Sequence, residues 1–401
     1  MAARQDSVLG KLLVVDDNEM NRDTLSRRLI RAGHTVDLAD GGQVALEMIS
    51  AGQYDTVLLD VMMPDVDGFE VLKTVRENLS PEQLPIIMAT AKTDSDTIVA
   101  ALNSGANDYV TKPLDFPVVR ARIQTQLALK KARESLSEAN SRMKRELEVA
   151  AEVQRASLPD EFEREGYQFC WRFFPCEELG GDGLKFSALN EDTVVVCLWD
   201  VCGHGVSAGL LSVSIAHMLS PGLSQSSLAF EHNNGEVNAV SPALVAQRLN
   251  ERFPMSENAN RFFTLCYGVL NTRTGTFRYV SAGHPTPLLI NSEGEVVTAP
   301  TEQINSFPIG MVSADKGDFH ENEITLSPGD RMYIYSDGFD EQATAEEEQF
   351  GEERLHEWCA EQAQQPVENI AANLYNHLLT WSQSAGLKDD ASLIVIERNE
   401  S

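Results

Sequence analysis

The chain has 401 residues, 42% of them hydrophobic and 23% charged, with a formal net charge of −29 at pH 7. That length exceeds one ordinary core and points to two or three soluble domains. No apolar run approaches the roughly 18 residues of a membrane span, the opening MAARQDSVLG lacks the apolar centre of a secretory signal, and the acidity excludes nucleic acid and anionic membrane as expected partners.

Residues 1–125 carry 12 basic and 19 acidic groups. Short apolar runs, KLLVV (11–15), TVDLA (35–39), DTVLL (55–59), PIIMA (85–89) and DYVT (108–111), alternate with amphipathic stretches such as MNRDTLSRRLIRAG. This pattern predicts an α/β doubly wound, five-stranded parallel sheet, whose ligands bind at the carboxyl ends of the strands. Asp16 and Asp17 follow the first run, Asp60 ends the third, Thr90 follows the fourth and Lys112 the fifth. Parallel strands bring all five to one edge. Three clustered carboxylates repel one another and need a cation, and oxygen-only ligation favours Mg²⁺. Asp65, Asp67 and Asp115 read as solvated turn acids.

VVDDNEMNR, LLDVMMPDVDGFE, ATA and YVTKP together resemble the receiver domain of two-component response regulators, across the whole segment. The resemblance implies that Asp60 is the phosphoacceptor, attacking a phosphohistidine of a partner sensor histidine kinase. It further implies that Asp16, Asp17, Asp60 and the carbonyl of Met62 hold Mg²⁺, that Lys112 and Thr90 meet the phosphoryl oxygens, and that Tyr109 swings as an aromatic switch. Each step has a physical ground: a nucleophilic carboxylate, a metal to offset charge and a cation for the transferring group.

Residues 126–157 form a second segment, with 7 basic and 5 acidic groups. No glycine or proline occurs between Pro117 and Pro159, and Leu129, Leu136, Met143 and Ala150 recur every seven residues beside Ala132, Ala139 and Val153. Glu146 interrupts the seam. The pattern predicts a helical linker, read as a parallel coiled coil joining two copies of the chain, with a lone amphipathic helix as the alternative.

Residues 158–401 carry 13 basic and 37 acidic groups. Longer β-branched runs, DTVVVCLWDV, RFFTLCYGVLN, TFRYVSAG, DRMYIYSDG and ASLIVIE, are interleaved with helical stretches such as PALVAQRLNERF, which predicts an α+β domain of antiparallel sheet. Asp182, Asp200, Asp337 and the pair Asp389–Asp390 fall at strand ends, most of them beside glycines. Each alone reads as an ordinary turn acid; together they suggest carboxylates converging on divalent metal. His204 and His284 lie in glycine-containing turns, where packing or turn hydrogen bonding competes with a catalytic role, and AEEEQ (345–349) reads as a solvated loop. The six scattered cysteines form no C-x-x-C pair and read as reduced, mostly buried thiols of a cytoplasmic protein.

From about residue 150 to 397 the order AAEVQRASLP, LGGD, DVCGHGVSAGLL, FFTLCYGVLN, YVSAGHPTPLLI, FPIG, LSPGDRMYIYSDGFDE, FGEERL and DDASLIVI resembles the bacterial PPM (PP2C-like) serine/threonine phosphatases of the partner-switching branch. The resemblance implies a sandwich of antiparallel sheets flanked by helices. Two Mn²⁺ or Mg²⁺ ions would be held by Asp182, Asp200, the carbonyl of Val201, Asp337 and Asp389, with Asp390 the weaker of its pair, and His204 would be a possible general acid. The implied substrate is a phosphorylated STAS-type anti-sigma antagonist.

One departure stands out. The family usually follows GGD with two aromatics and a second aspartate, whereas this chain has Gly183, Leu184 and Lys185. A Lys185 aimed at the metals would compete with them; aimed elsewhere, it would be neutral. The competing reading is therefore a pseudophosphatase adaptor that binds a sigma-factor regulatory protein without turnover. A DNA-binding response regulator is excluded by the want of a basic recognition element.

Overall fold

A computed structural model describes residues 8–91, 95–160, 162–221, 227–233, 236–257, 260–297, 306–312 and 318–400. The chain divides into two compact units, Met1–Met143 and Lys144–Ser401.

The first unit alternates strand and helix: β1 (Lys11–Val15), α1 (Glu19–Arg31), β2 (Thr35–Ala39), α2 (Gly42–Ala51), β3 (Thr56–Asp60), α3 (Gly68–Arg76), β4 (Ile86–Thr90), α4 (Ser95–Asn103), β5 (Asp108–Thr111) and α5 (Phe116–Arg155). The strands pair in parallel in the order β2-β1-β3-β4-β5, the doubly wound sheet expected from the alternating runs. Because side chains alternate across a strand, β1 sends Leu13 and Val15 to one face and Leu12 and Val14 to the other, and each face has its own buried cluster. The chain order reverses beside β1, and the carboxyl edge of β1 and β3 is where a doubly wound sheet opens a crevice. Asp67 is more than a solvated turn acid: it caps α3, accepting from the Glu70 N–H at 2.9 Å in a reciprocal capping box.

Helix α5 changes character along its length. Val119, Ile123 and Leu127 are buried in the first unit at helical spacing. Leu129, Leu136 and Met143 are exposed, Leu136 by 69%. Ala151 and Gln154 are buried again. Pro117 stands in the first turn, where a missing N–H costs nothing.

The second unit comprises β6 (Tyr167–Phe174), β7 (Gly183–Asn190), β8 (Thr193–Val201), α6 (Val206–Met218), β9 (Phe230–Asn233), β10 (Glu236–Ala239), α7 (Pro242–Arg252), β11 (Phe263–Asn271), β12 (Thr276–Ala282), β13 (Leu288–Ile290), β14 (Val296–Val297), β15 (Asn322–Thr325), β16 (Arg331–Tyr335), α8 (Glu352–Glu361), α9 (Val367–Ser382) and β17 (Ala391–Arg398). Two antiparallel sheets, β15-β12-β11-β8-β7 and β14-β13-β16-β17-β6, face each other. Their shared core holds Val194, Val196 and Leu198 of β8 against Ile334 of β16 and Ile394 and Ile396 of β17. The alternate residues of β8, Val195, Cys197, Trp199 and Val201, pack outward under α6 and α7. Tyr333 and Tyr335 of β16 turn the other way, toward α8 and α9. Helices therefore cover both outer faces, as the α+β reading requires.

All six cysteines are free, with Cys170, Cys197, Cys266 and Cys359 buried and Cys202 exposed. Among the described residues no helix is long and apolar enough to cross a membrane.

Candidate functional site

Two groups of acids stand apart. In the first unit, Asp16 leaves the end of β1 and Asp60 is the last residue of β3; both are buried, while Asp17 is exposed. Carboxylate oxygens of Asp16, Asp17 and Asp60 lie within 4.8 Å of one another. Lys112 reaches across from the end of β5, its Nζ 2.8 Å from Asp16 Oδ2 and 2.6 Å from Asp60 Oδ2. Burial raises the Asp60 carboxyl above its usual range; Lys112 opposes that rise and Asp16 adds to it. Burial disfavours the charge on Lys112, yet its bonds to Asp16 and Asp60 hold its pKa above the ordinary value. Thr90 is buried at the end of β4. Tyr109 packs partly buried against the sheet core, and the Met62 N–H donates to Asp60 Oδ1 at 3.4 Å. Three carboxylates face one ammonium, so the donor set fits one further hard cation with oxygen ligands.

The second group is built at the ends of β7, β8, β16 and β17. Asp182, immediately before β7, is 1% exposed. Its Oδ2 accepts from Ser336 Oγ at 2.7 Å, and its carbonyl accepts from Ser212 Oγ at 3.0 Å. Its Oδ1 is buried with no hydrogen-bond partner among the described residues. An anionic oxygen left so is costly unless a cation or proton meets it. Burial, then the charge of Asp200, raises the Asp182 carboxyl well above the carboxylate range. Asp200, near the end of β8, is pushed up to about 7 by burial and then by Asp337. Asp337, two residues past β16, is pushed up to about 6 by burial and then by Glu341. Like charges out of water without a cation raise one another's pKa in this way, and the donors suit divalent metal.

Asp389 and Asp390 divide by direction. Asp390 is buried, and both its oxygens are taken by backbone donors: Oδ1 by Cys176 N–H at 2.8 Å and Oδ2 by Gly181 N–H at 2.6 Å. It pins the 176–181 loop. Asp389 is exposed, and its charge acts on Asp200 and Asp337. Among the described residues of this unit, three ligand atoms come within 4.8 Å only at Cys176, Asp389 and Asp390. No three of Asp182, Asp200, Asp337 and Asp389 bring oxygens that close together.

Lys185 is directed elsewhere. Its Nζ donates to Ser220 Oγ at 2.6 Å, beyond the C-terminal end of α6. The neighbouring departure has a steric reason. Gly183 pairs with Trp199 across the β7–β8 ladder, and a Cβ at 183 would run into the Trp199 ring. The Trp199 indole N–H donates to Ser212 Oγ at 3.0 Å, the same hydroxyl that holds the Asp182 carbonyl.

His204 follows β8 in the turn into α6, its Nδ1 2.9 Å from Glu177 Oε1. His284 is buried, and Thr264 Oγ1, on the residue paired with Asp200 across the β8–β11 ladder, meets its Nδ1 at 2.7 Å. Residues that sequence reasoning missed are Ser336, Ser212, Gln154 and Glu177. A serine, a glutamine or a surface glutamate has no spacing that marks it; only the fold gives it a direction.

Residues 190–399 match the family described as Stage II sporulation protein E (SpoIIE), and residues 12–124 match the response regulator receiver domain. Among curated proteins, the transcriptional regulatory protein AfsQ1 of Streptomyces coelicolor is 41% identical over 116 residues, 29% of this chain and 50% of that protein. The transcriptional regulatory protein HprR of Escherichia coli is 32% identical over 162 residues, 40% of this chain and 70% of that protein. The chain spans about half the length of the first of these relatives. Among solved structures, the SiaA-PP2C domain of Pseudomonas aeruginosa shares the fold, with a TM-score of 0.52 at 20% identity over 65% of this chain and 98% of that one. The family match covers more than half of the chain, and the parallel sheet with its three acids precedes it: the chain belongs to the SpoIIE family, a PPM-type phosphatase domain of PP2C fold preceded by a response-regulator receiver domain.

Proposed function

We propose that phosphorylation of Asp60 controls a metal-dependent phosphoserine/phosphothreonine protein phosphatase in the same chain. The observation that carries this reading is Asp182 Oδ1, buried and unpartnered among acids that burial and mutual repulsion push toward protonation. Ser336 and Ser212 fix its other oxygen and its carbonyl, which leaves Oδ1 for a cation. Two Mn²⁺ or Mg²⁺ ions held by Asp182, Asp200, Asp337, Asp389 and the Val201 carbonyl would, when bound, activate water and offset phosphate charge. His204, exposed at the start of α6, supplies a proton to the departing serine or threonine oxygen. Lys185, bonded to Ser220, has no competing role, which weighs against the adaptor reading.

In the receiver, an Asp60 oxygen attacks the phosphorus of the kinase phosphohistidine and the P–N bond breaks. Lys112 and Thr90 then meet the phosphoryl oxygens and Tyr109 repacks; Asp16, Asp17, Asp60 and the Met62 carbonyl would hold Mg²⁺, which would offset charge when bound. The signal leaves through α5. The exposed Leu129, Leu136, Met143 and Val153 support pairing with a second copy of the chain, and the buried end of α5 meets the loop that carries Asp182. SpoIIE membership supports a partner-switching role, with a phosphorylated STAS-type anti-sigma antagonist as substrate in the cytoplasm.

The test is phosphate release from a phosphoserine peptide by the full chain, with and without Mn²⁺, beside Asp200→Asn and with beryllofluoride added. Mn²⁺-dependent release, lost in the variant and altered by beryllofluoride, is expected. Mn²⁺-independent or absent release would overturn the enzymatic reading, and indifference to beryllofluoride would overturn the control.

A further inference from the structure

The loop between β6 and β7 is fastened at two points. Asp390 holds the Cys176 N–H with one oxygen and the Gly181 N–H with the other. Glu177 lies between these two fixed points, so its side chain projects from a restrained backbone. Its Oε1 is 2.9 Å from His204 Nδ1, and the two side chains are 45% and 63% exposed. An ion pair so exposed adds little to stability.

The partner is equally constrained. His204 stands between Gly203 and Gly205, both at φ +82°, a region that side-chain-bearing residues rarely adopt. Arg261 Nη1 donates to the Cys202 carbonyl on the near side of the same turn. Gly205 is the N-cap of α6 and offers no side-chain cap. Glu177 Oε2 comes within 3.4 Å of where a Gly205 Cβ would stand, so the carboxylate lies against the open start of a 13-residue helix, where negative charge is favoured.

A carboxylate only accepts, so the nitrogen it faces carries the proton. The neutral His204 ring is then the Nδ1–H form with Nε2 free, and the protonated ring presents Nε2–H to solvent. We propose that Glu177 is a positioning residue for proton donation by His204. Its charge favours the Nδ1–H tautomer, which leaves Nε2 to carry the proton that is given up. The inference rests on the phosphatase reading above. In the step it serves, water oxygen forms the new P–O bond and gives one proton to solvent. The old P–O bond breaks with its electron pair on the serine oxygen, which takes the Nε2 proton, and solvent reprotonates the ring.

The experiment compares two substrates with Mn²⁺ and the full chain. A phosphoserine peptide leaves as an alkoxide and needs the proton, whereas p-nitrophenyl phosphate leaves as a stabilised phenolate and needs it far less. Glu177→Ala is expected to lower kcat on the peptide about tenfold beyond any fall on p-nitrophenyl phosphate, a fraction of the roughly 10²–10⁴-fold that a general acid supplies. Glu177→Gln, which can still accept from Nδ1–H but has no charge, should fall between Ala and wild type. His204→Ala should show the same substrate split, and Glu177→Ala added to it should cost nothing more. Equal losses on both substrates, or additive losses in the double variant, would overturn the inference while leaving the phosphatase intact. A wild-type chain idle on both substrates would instead overturn the phosphatase reading and this inference with it.

Discussion

Gln154, in the last turn of α5, is bonded to both sides of Gly180: its Nε2 donates to the Gly180 carbonyl at 2.6 Å, and the Gly180 N–H donates to its Oε1 at 3.2 Å. Both partners are buried, and Gly180 is two residues before Asp182. A movement of the helix end would thereby reach the residue whose unpartnered oxygen faces the candidate metal site. Gln154→Ala leaves two buried backbone groups unpaired and should cost about 1–3 kcal/mol for each. It should also uncouple phosphate release from beryllofluoride. A variant that remains responsive would mean that the signal takes another route.

Asp389 and Asp390 should separate cleanly under substitution. Asp389→Asn is expected to leave the metal-free melting temperature nearly unchanged and to remove much of the rise produced by Mn²⁺. Asp390→Asn disturbs a carboxylate that holds two backbone N–H groups. It should lower the metal-free melting temperature by several degrees, at about 2–4 °C per kcal/mol for a domain of this size. Calorimetry with and without Mn²⁺ reads both, and the reverse pattern would refute the assignment.

Gly183 should tolerate no side chain while Trp199 is present. Gly183→Ala is expected to cost about 1–3 kcal/mol by overpacking, measured as a lowered urea midpoint, and Gly183→Ala with Trp199→Phe should recover part of the loss. Lys185→Ala should leave the Mn²⁺ dependence of phosphate release where it was, since its partner is Ser220; a tighter Mn²⁺ requirement in wild type would contradict this.

His284 sets a pH dependence of known sign. Burial lowers its pKa from 6.5 to about 3 in the folded chain. Between those values the unfolded chain binds the extra proton, so stability increases with pH. The contribution is complete above pH 6.5 and lost as the pH falls toward 3, at up to about 1.4 kcal/mol per unit. His284→Gln should flatten the stability curve between pH 6 and 4.5, whatever its effect at neutrality. An unchanged slope would show that the ring is not held neutral.

The receiver should take phosphate at one place. Incubation with acetyl phosphate and Mg²⁺ should give a hydroxylamine-sensitive acyl phosphate, seen as a shift on phosphate-affinity gels. Asp60→Asn should abolish it and Asp200→Asn should not. Labelling that survives Asp60→Asn would move the acceptor elsewhere.

Much of the fold was legible because buried strands announce themselves as apolar runs. KLLVV and TVDLA became β1 and β2 without a change of boundary, and DTVLL and PIIMA shifted by one residue. Strand-end acids were legible for a related reason, since charge beside a buried run has to face an edge. Direction was not legible. Asp389 and Asp390 are chemically identical in sequence, and only the pairing of β17 with β6 decides which one meets the 176–181 loop. The heptad of α5 showed a period without showing what lay on it; Leu136 proved exposed and Gln154 buried. Glu177 gave no signal, because its meaning depends on a histidine 27 positions away brought near by the turn after β8.

The pairing of Gly183 with Trp199 bears on how this family's sequences change over time. A ring at 199 and a ring at 183 could not both be housed across this ladder, so two arrangements exist, and this chain has the first. Passing from one arrangement to the other by single substitutions crosses either a clash, with two rings, or a void, with none. Lineages should therefore change both positions together or neither. Gly183 is therefore a position to be judged together with Trp199 and not alone.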